Sequence, residues 1–252
     1  MITRSSPRLE LQSEPWQRDL ATAVTDPAEL LRLLDLDPAA LPELDPSATD
    51  FALRVPRYFV NLMRRGDPHD PLLAQVLPLA EEMLSVAGYR QDPVGDMHAS
   101  HNHGVLKKYR GRVLMIATGA CAIHCRYCFR RHFPYTEQSL LGHRTEAMET
   151  LRGLPDTEEL ILSGGDPLCL SDRRLGDLLE QTRNLPGLRR LRIHSRLPVV
   201  LPQRVTDRLV GLLSEQRLPT VLVIHANHPN EITRELERAL QGLAAAGVTL
   251  LN

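Results

Sequence analysis

Residues 112–135, RVLMIATGACAIHCRYCFRRHFPY, set a short apolar run directly ahead of three cysteines, Cys121, Cys125 and Cys128. The run 113–117 has the length and character of a buried strand. The same pattern recurs along the chain: apolar runs at 159–163, 191–194, 221–225 and 248–251 alternate with helix-like stretches at 171–184, 202–216 and 230–246 that carry turn residues at their ends. Strand followed by helix, repeated, implies right-handed crossovers and a parallel sheet, hence an α/β fold. Curled, such a sheet is a (β/α) barrel or partial barrel, whose chemistry sits at the C-terminal ends of the strands. Every motif considered below falls there.

Ahead of this region the chain reads as short helices divided by proline and aspartate. Asp26-Pro27 is an N-cap followed by proline at the first helical position, in front of the apolar stripe Leu30, Leu31, Leu33 and Leu34. The stretches 51–63 and 71–86 look similar, with breaks at Gly66-Asp67-Pro68 and Gly88. We expect an N-terminal helical region over 1–105 and the parallel sheet over 106–252. No chemistry stands alone in the first region, and Arg54 and Arg57 are most simply solvated or salt-bridged.

Composition narrows the function. The 252 residues are 42% hydrophobic with a formal net charge of −1, so no global field favours nucleic acid. The N-terminus has no apolar core of a signal peptide, and no segment approaches the roughly 18 apolar residues of a membrane span. The expectation is a soluble, cytoplasmic protein. Three of the four cysteines crowd into eight positions, which in a reducing compartment signals metal binding or redox chemistry rather than disulfides. Of the 30 lysines and arginines only Lys107 and Lys108 are lysine.

Three thiolates spaced C-x3-C-x2-C can hold three irons of a four-iron cluster and leave the fourth open to a ligand. Structural zinc is the alternative, and it would need a fourth ligand such as His124, His132 or Cys169. The second strand ends in Ser163-Gly164-Gly165-Asp166-Pro167, where two glycines allow close backbone approach and exposed N–H groups could meet the amino-acid part of a ligand. The third strand ends in Arg192-Ile193-His194-Ser195-Arg196 and the fourth in His225-Ala226-Asn227-His228-Pro229-Asn230-Glu231. These polar ends suit ribose, adenine or a carboxylate, although Asn230-Glu231 could equally begin a helix. His98, His101 and His103 look more like exposed loop histidines than a metal cluster.

The C-x3-C-x2-C spacing after a strand resembles the radical S-adenosylmethionine superfamily. CRYCFRRHFPY, SGGDP, RIHSRLPVV and HANHPNE in this order, preceded by KKYRGRVL, resemble the lysine 2,3-aminomutases. The FRRHFPY continuation looks most like the EpmB branch, which makes (R)-β-lysine for modification of translation elongation factor P. The resemblance runs from about Asp19 to Asn252. It implies a radical SAM-type partial (β/α) barrel, a [4Fe-4S] cluster, S-adenosylmethionine, pyridoxal 5′-phosphate, L-lysine as substrate and a flavodoxin- or ferredoxin-type electron donor. The implied reaction is a 1,2-amino shift begun when an adenosyl radical takes hydrogen from C3 of lysine. Carried over by motif, Cys121, Cys125 and Cys128 match the cluster ligands, while Gly164, Gly165, Asp166, Ser195 and His225 match positions around S-adenosylmethionine. Arg130 matches an arginine that pairs with the substrate carboxylate, and Tyr109 and Arg112 match positions near the cofactor phosphate.

One departure matters. The family carries its pyridoxal-anchoring lysine downstream of the last strand seen here, and Lys107 and Lys108 both precede the cluster strand. The chain therefore looks like a truncated member with an incomplete barrel. Two alternatives accompany the elongation-factor reading: a free-lysine aminomutase of metabolism, and a non-catalytic cluster-binding remnant.

Overall fold

The computed structural model describes residues 14–41, 52–101, 104–140, 142–183 and 185–252. Its centre is a six-stranded sheet in sequential order: β1 (Val105–Tyr109), β2 (Arg112–Thr118), β3 (Glu159–Gly164), β4 (Arg190–Ser195), β5 (Thr220–Ile224) and β6 (Thr249–Leu251). Strands β2 to β6 pair in parallel. Strand β1 runs antiparallel to β2 through a tight turn at Gly111, whose φ of 74° suits glycine. The sequence reading missed β1 because its last residues, Lys107 to Tyr109, are polar and half-buried or exposed.

Helices α1 (Pro15–Ala21), α2 (Pro27–Leu33) and α3 (Arg57–Val60) precede the sheet. The Asp26 carboxylate accepts from the Ala28 N–H at 3.0 Å, as an N-cap should. The helices expected over 51–63 and 71–86 are shorter than that. Only α3 and 3₁₀ turns at Leu73–Gln75 and Ala80–Met83 form, because Pro56, Pro68, Pro71 and Pro78 interrupt any longer run. Phe51 lies outside the described residues, as do His103 and Asn184.

The crossovers hold α4 (Tyr135–Gln138), α5 (Arg144–Arg152), α6 (Asp172–Thr182), α7 (Leu197–Val200), α8 (Asp207–Ser214) and α9 (Arg234–Ala245). Helix α5 had no counterpart in the sequence reading. It buries only Ala147, Met148 and Leu151, too few positions to give a long periodic stripe. Ser171, Thr206 and Thr233 cap α6, α8 and α9 by accepting from the third backbone N–H. Among the described residues, no helix is long and apolar enough to cross a membrane.

Strand alternation gives the sheet two faces. Leu160, Leu162, Leu191, Ile193 and Leu222 are buried in the core on the helix side. Glu159, Ile161 and Ser163 of β3, and Arg192 and His194 of β4, turn to the other face. There Glu159 receives Arg192 through Nε at 3.0 Å and Nη2 at 2.7 Å, with Arg112 at 3.1 Å and Arg190 at 3.4 Å. One carboxylate thus gathers three guanidinium groups at the base of this face, leaving it net positive.

The N-terminal helices share the sheet's core. Trp16 of α1 stacks on the Arg204 guanidinium at 4.3 Å, and Arg204, fully buried, pairs with buried Asp172 at 2.8 Å and donates to the carbonyls of Leu168 and Leu170. Removing one member of such a pair strands a buried charge. Arg204→Ala should therefore cost about 3–5 kcal/mol in urea unfolding, and Arg204→Met combined with Asp172→Leu should recover most of it. Equal losses in the two variants would mean that packing against Trp16, not the ion pair, carries the effect.

Candidate active site

The exits of β2, β3, β4 and β5 meet at one rim of the sheet around a cavity of about 290 Å³. Its lining includes Cys121, Cys125, Cys128, Arg130, Gly164, Gly165, Asp166, His194, Arg196 and His225. Among the described residues no three His, Cys, Asp or Glu side chains converge to hold a single metal ion. A four-iron cluster asks for something else, since its thiolates bind separate corners and surround it. The zinc alternative finds no support from His124, whose Nδ1 meets the Ala52 carbonyl of the N-terminal region at 2.6 Å. Cys169 packs against the core. Burial pushes the Cys121 and Cys128 thiols up, so both are protonated until a metal displaces the proton.

The cysteine loop is fastened to the β3 exit by backbone. Gly165 N–H donates to Thr118 C=O at 2.8 Å and Asp166 N–H to Ala120 C=O at 2.7 Å. The reading of these N–H groups as exposed donors for a ligand is thereby corrected: they are spent on the loop. A side chain at Gly165 would put its Cβ 2.4 Å from Ala120 O, and at Gly164, with φ of 121°, 2.7 Å from Thr118 O. Tyr135 closes the same junction, donating to Gly164 C=O at 2.7 Å.

Asp166 also works behind the cavity wall. Its carboxylate accepts from Ser195 Oγ at 2.7 Å, Arg196 N at 2.8 Å, Leu197 N at 2.9 Å and Leu168 N at 3.0 Å, so it ties the β4 exit to the β3 exit. Burial raises this carboxyl against the donors that lower it. Ser195 is fully enclosed beside it.

Arg130 is buried and divides two cavities. It donates through Nε to Asp96 at 2.6 Å and through Nη1 to Ser163 Oγ at 3.0 Å. Beyond it lies a second cavity of about 260 Å³ lined by Asp96, Lys108, Tyr109 and Arg112 among others. Burial works to raise the Asp96 carboxyl, but Lys108 and Arg130 outweigh it and hold it below the usual carboxylate range. Lys108 is tied to Asp96 and to the Val94 carbonyl, and Lys107 pairs with Asp156. Neither lysine presents a free amine. His194 and His225 meet edge to face at 6.1 Å. Burial, then the neighbouring charges, lower His194 to about 4, and its Nε2 is buried with no hydrogen-bond partner.

Several site residues escaped the sequence reading. Gln75 and Glu82 come from the N-terminal arm: Gln75 donates to Glu231 at 2.7 Å, and Glu82 receives Arg126 and Arg131, both at 2.6 Å. Glu231, read as a polar strand-end residue or the beginning of a helix, closes a 3₁₀ turn over Pro229–Glu231 and is fully buried. Asp96 sits in a loop with no local motif. The dense proline punctuation around these residues hid them, because it signals turns and says nothing of where they dock.

A parallel α/β sheet that gathers three cysteine thiols, two histidines and buried arginines at the exits of its strands is an enzyme-type architecture with a ligand cavity at its C-terminal rim. No protein-family profile matches the chain. It is 46% identical over 241 residues to the L-lysine 2,3-aminomutase of Escherichia coli, covering 95% of this chain and 70% of that protein. With the Haemophilus influenzae protein of the same name it shares 43% identity, covering 96% of this chain and 72% of the relative. With that of Acetoanaerobium sticklandii it shares 33%, covering 94% and 58%. The chain belongs to the L-lysine 2,3-aminomutase family.

The glycine junction makes a direct prediction. Gly165→Ala should displace the cysteine loop and lose most of the iron bound after anaerobic reconstitution, while the far-ultraviolet circular dichroism stays that of the parent. Full iron retention would show that the loop tolerates a Cβ and that the backbone contact is dispensable.

Proposed function

We propose that this chain is a radical S-adenosylmethionine enzyme that converts L-α-lysine to β-lysine. The observation that carries the proposal is the meeting of Cys121, Cys125 and Cys128 with Arg130 around one cavity at the C-terminal rim of a parallel sheet. Family membership supports the choice of lysine. The parallel pairing of β2 to β6 and the repeated strand-helix crossovers support a partial (β/α) barrel over 106–252, with 1–105 as an appended helical region.

The residues fit a cluster. Three thiols line the cavity, and Arg196 Nη1 donates to Cys125 Sγ at 2.8 Å. When bound, a [4Fe-4S] cluster with S-adenosylmethionine on its open iron supplies a radical able to abstract hydrogen from an unactivated carbon. Gly164, Gly165 and His225 border the space for that ligand, while Asp166 and Ser195 hold its wall. Arg130, whose guanidinium is held at the wall between the two cavities by Asp96 and Ser163, is the residue we assign to the substrate carboxylate. Leu114, Ala122, Ile123 and Phe129 add apolar surface to the same cavity.

Tyr109 and Arg112 suit the phosphate of pyridoxal 5′-phosphate. The two lysines do not suit its anchoring, both being ion-paired. The FRRHFPY continuation supports (R)-β-lysine made for elongation factor P, in the cytoplasm, with a flavodoxin- or ferredoxin-type protein as electron donor.

The test is turnover. Protein reconstituted with iron and sulfide, then supplied with S-adenosylmethionine, pyridoxal 5′-phosphate, a one-electron reductant and L-lysine, should form β-lysine. Arg130→Lys should weaken lysine use by tenfold or more, since a charged hydrogen bond contributes roughly 1.5–3 kcal/mol. Cleavage of S-adenosylmethionine without β-lysine would keep the radical chemistry and reject the aminomutase reading.

A further inference from the structure

Arg196 stands at the exit of β4, and its backbone N–H and both Nη groups are held, while its buried Nε has no hydrogen-bond partner. Its backbone N–H is held by Asp166 at 2.8 Å. Its guanidinium donates through Nη1 to Cys125 Sγ at 2.8 Å and also to Tyr127 Oη, and through Nη2 to Gln75 Oε1 at 2.6 Å. The rings of Phe59 and Tyr127 lie 5.5 and 5.6 Å from its central carbon. Arg196 is 5% exposed. Its counter-charge is Glu231, 3.6 Å from Nη2, fully buried and itself bonded to Gln75 and to the Asn227 N–H.

This is a costly arrangement for a merely structural arginine. A buried cation is ordinarily matched by close ionic contact, yet here the nearest carboxylate oxygen stands farther off than the sulfur. The guanidinium spends one of its two Nη groups on a thiol and a phenol rather than on the acid available to it. Hydrogen bonds to ligating sulfur withdraw electron density from it, and with burial they set the potential of an iron–sulfur centre. Reduction adds one negative charge to the cluster, so a cation bonded to a ligand sulfur stabilises the reduced form.

We propose that Arg196 is a positioning residue that raises the reduction potential of the cluster held by Cys121, Cys125 and Cys128, with Glu231 moderating its charge. Gln75, from the N-terminal arm, bridges the two and sets how far the carboxylate offsets the guanidinium. The inference rests on the reading of these cysteines as cluster ligands, and it requires nothing of the lysine chemistry.

The two charges give variants with opposite expected signs. In an anaerobic redox titration of reconstituted protein, followed by the EPR signal of the reduced cluster, Arg196→Met paired with Glu231→Gln should move the midpoint to more negative potential. That pair leaves no uncompensated buried charge. Glu231→Gln alone should move it to more positive potential, because the guanidinium then acts unopposed. Wild-type midpoints in both variants, at wild-type iron content, would overturn the proposal, as would shifts of the same sign. Should the paired variant fail to hold iron, the single Glu231→Gln variant still decides the matter. A wild-type protein that takes up no cluster would instead remove the reading beneath the proposal, which is a distinguishable result.

Discussion

The site depends on one backbone contact, the docking of the Gly164-Gly165-Asp166 turn on the strand and loop that lead into the cysteines. Two hydrogen bonds, from Gly165 N to Thr118 O and from Asp166 N to Ala120 O, clamp the turn and loop together, and no Cβ would fit between them. Because the contact is made by main chain, it does not vary with side-chain rotamers. It fixes where Cys121 begins. Asp166 then carries the constraint onward to Ser195 and Arg196, so the β4 exit takes its place from the same turn. Three strand exits are in this way built as a unit.

On this frame the protein buries charge heavily. Arg130, Arg196 and Arg204 are all buried, each beside a carboxylate that is buried as well: Asp96, Glu231 and Asp172. Buried ion pairs are poor sources of stability, and the placing of Arg130 and Arg196 at the cavity is better understood as orientation. Arg130 is aimed between two cavities and Arg196 at a thiol, while Arg204 joins the first helix to the sheet through Trp16. Desolvation gives each charge a longer reach than it would have in water. His194, with Arg130 and Arg192 nearby, stays neutral in that field and keeps a buried nitrogen without a hydrogen-bond partner.

Much of this was legible in the sequence, and the reason is locality. Strand runs, helix caps such as Asp26, and the cysteine spacing each lie within a few residues, where pattern and chemistry coincide. The parallel order of β2 to β6 followed from alternation alone. What the sequence withheld was made at a distance. Gln75 reaches Glu231 across 156 positions, Arg130 reaches Asp96 across 34, and neither pairing leaves a local trace. Asp166 was visible as a motif residue, but its role was not, since three of the four donors it accepts come from residues 195–197, some 30 positions away. Strand β1 and helix α5 were missed for a simpler cause: each buries too little to impose a period.

The central claim is that the three thiols hold a four-iron cluster with one iron open to S-adenosylmethionine. EPR of the anaerobically reconstituted, reduced protein tests it most directly, with and without S-adenosylmethionine and beside a Cys125→Ala control. A reduced [4Fe-4S] signal that changes on adding S-adenosylmethionine, and is lost in the control, is the predicted result. Folded protein that yields no such signal, or a signal indifferent to S-adenosylmethionine, would contradict it.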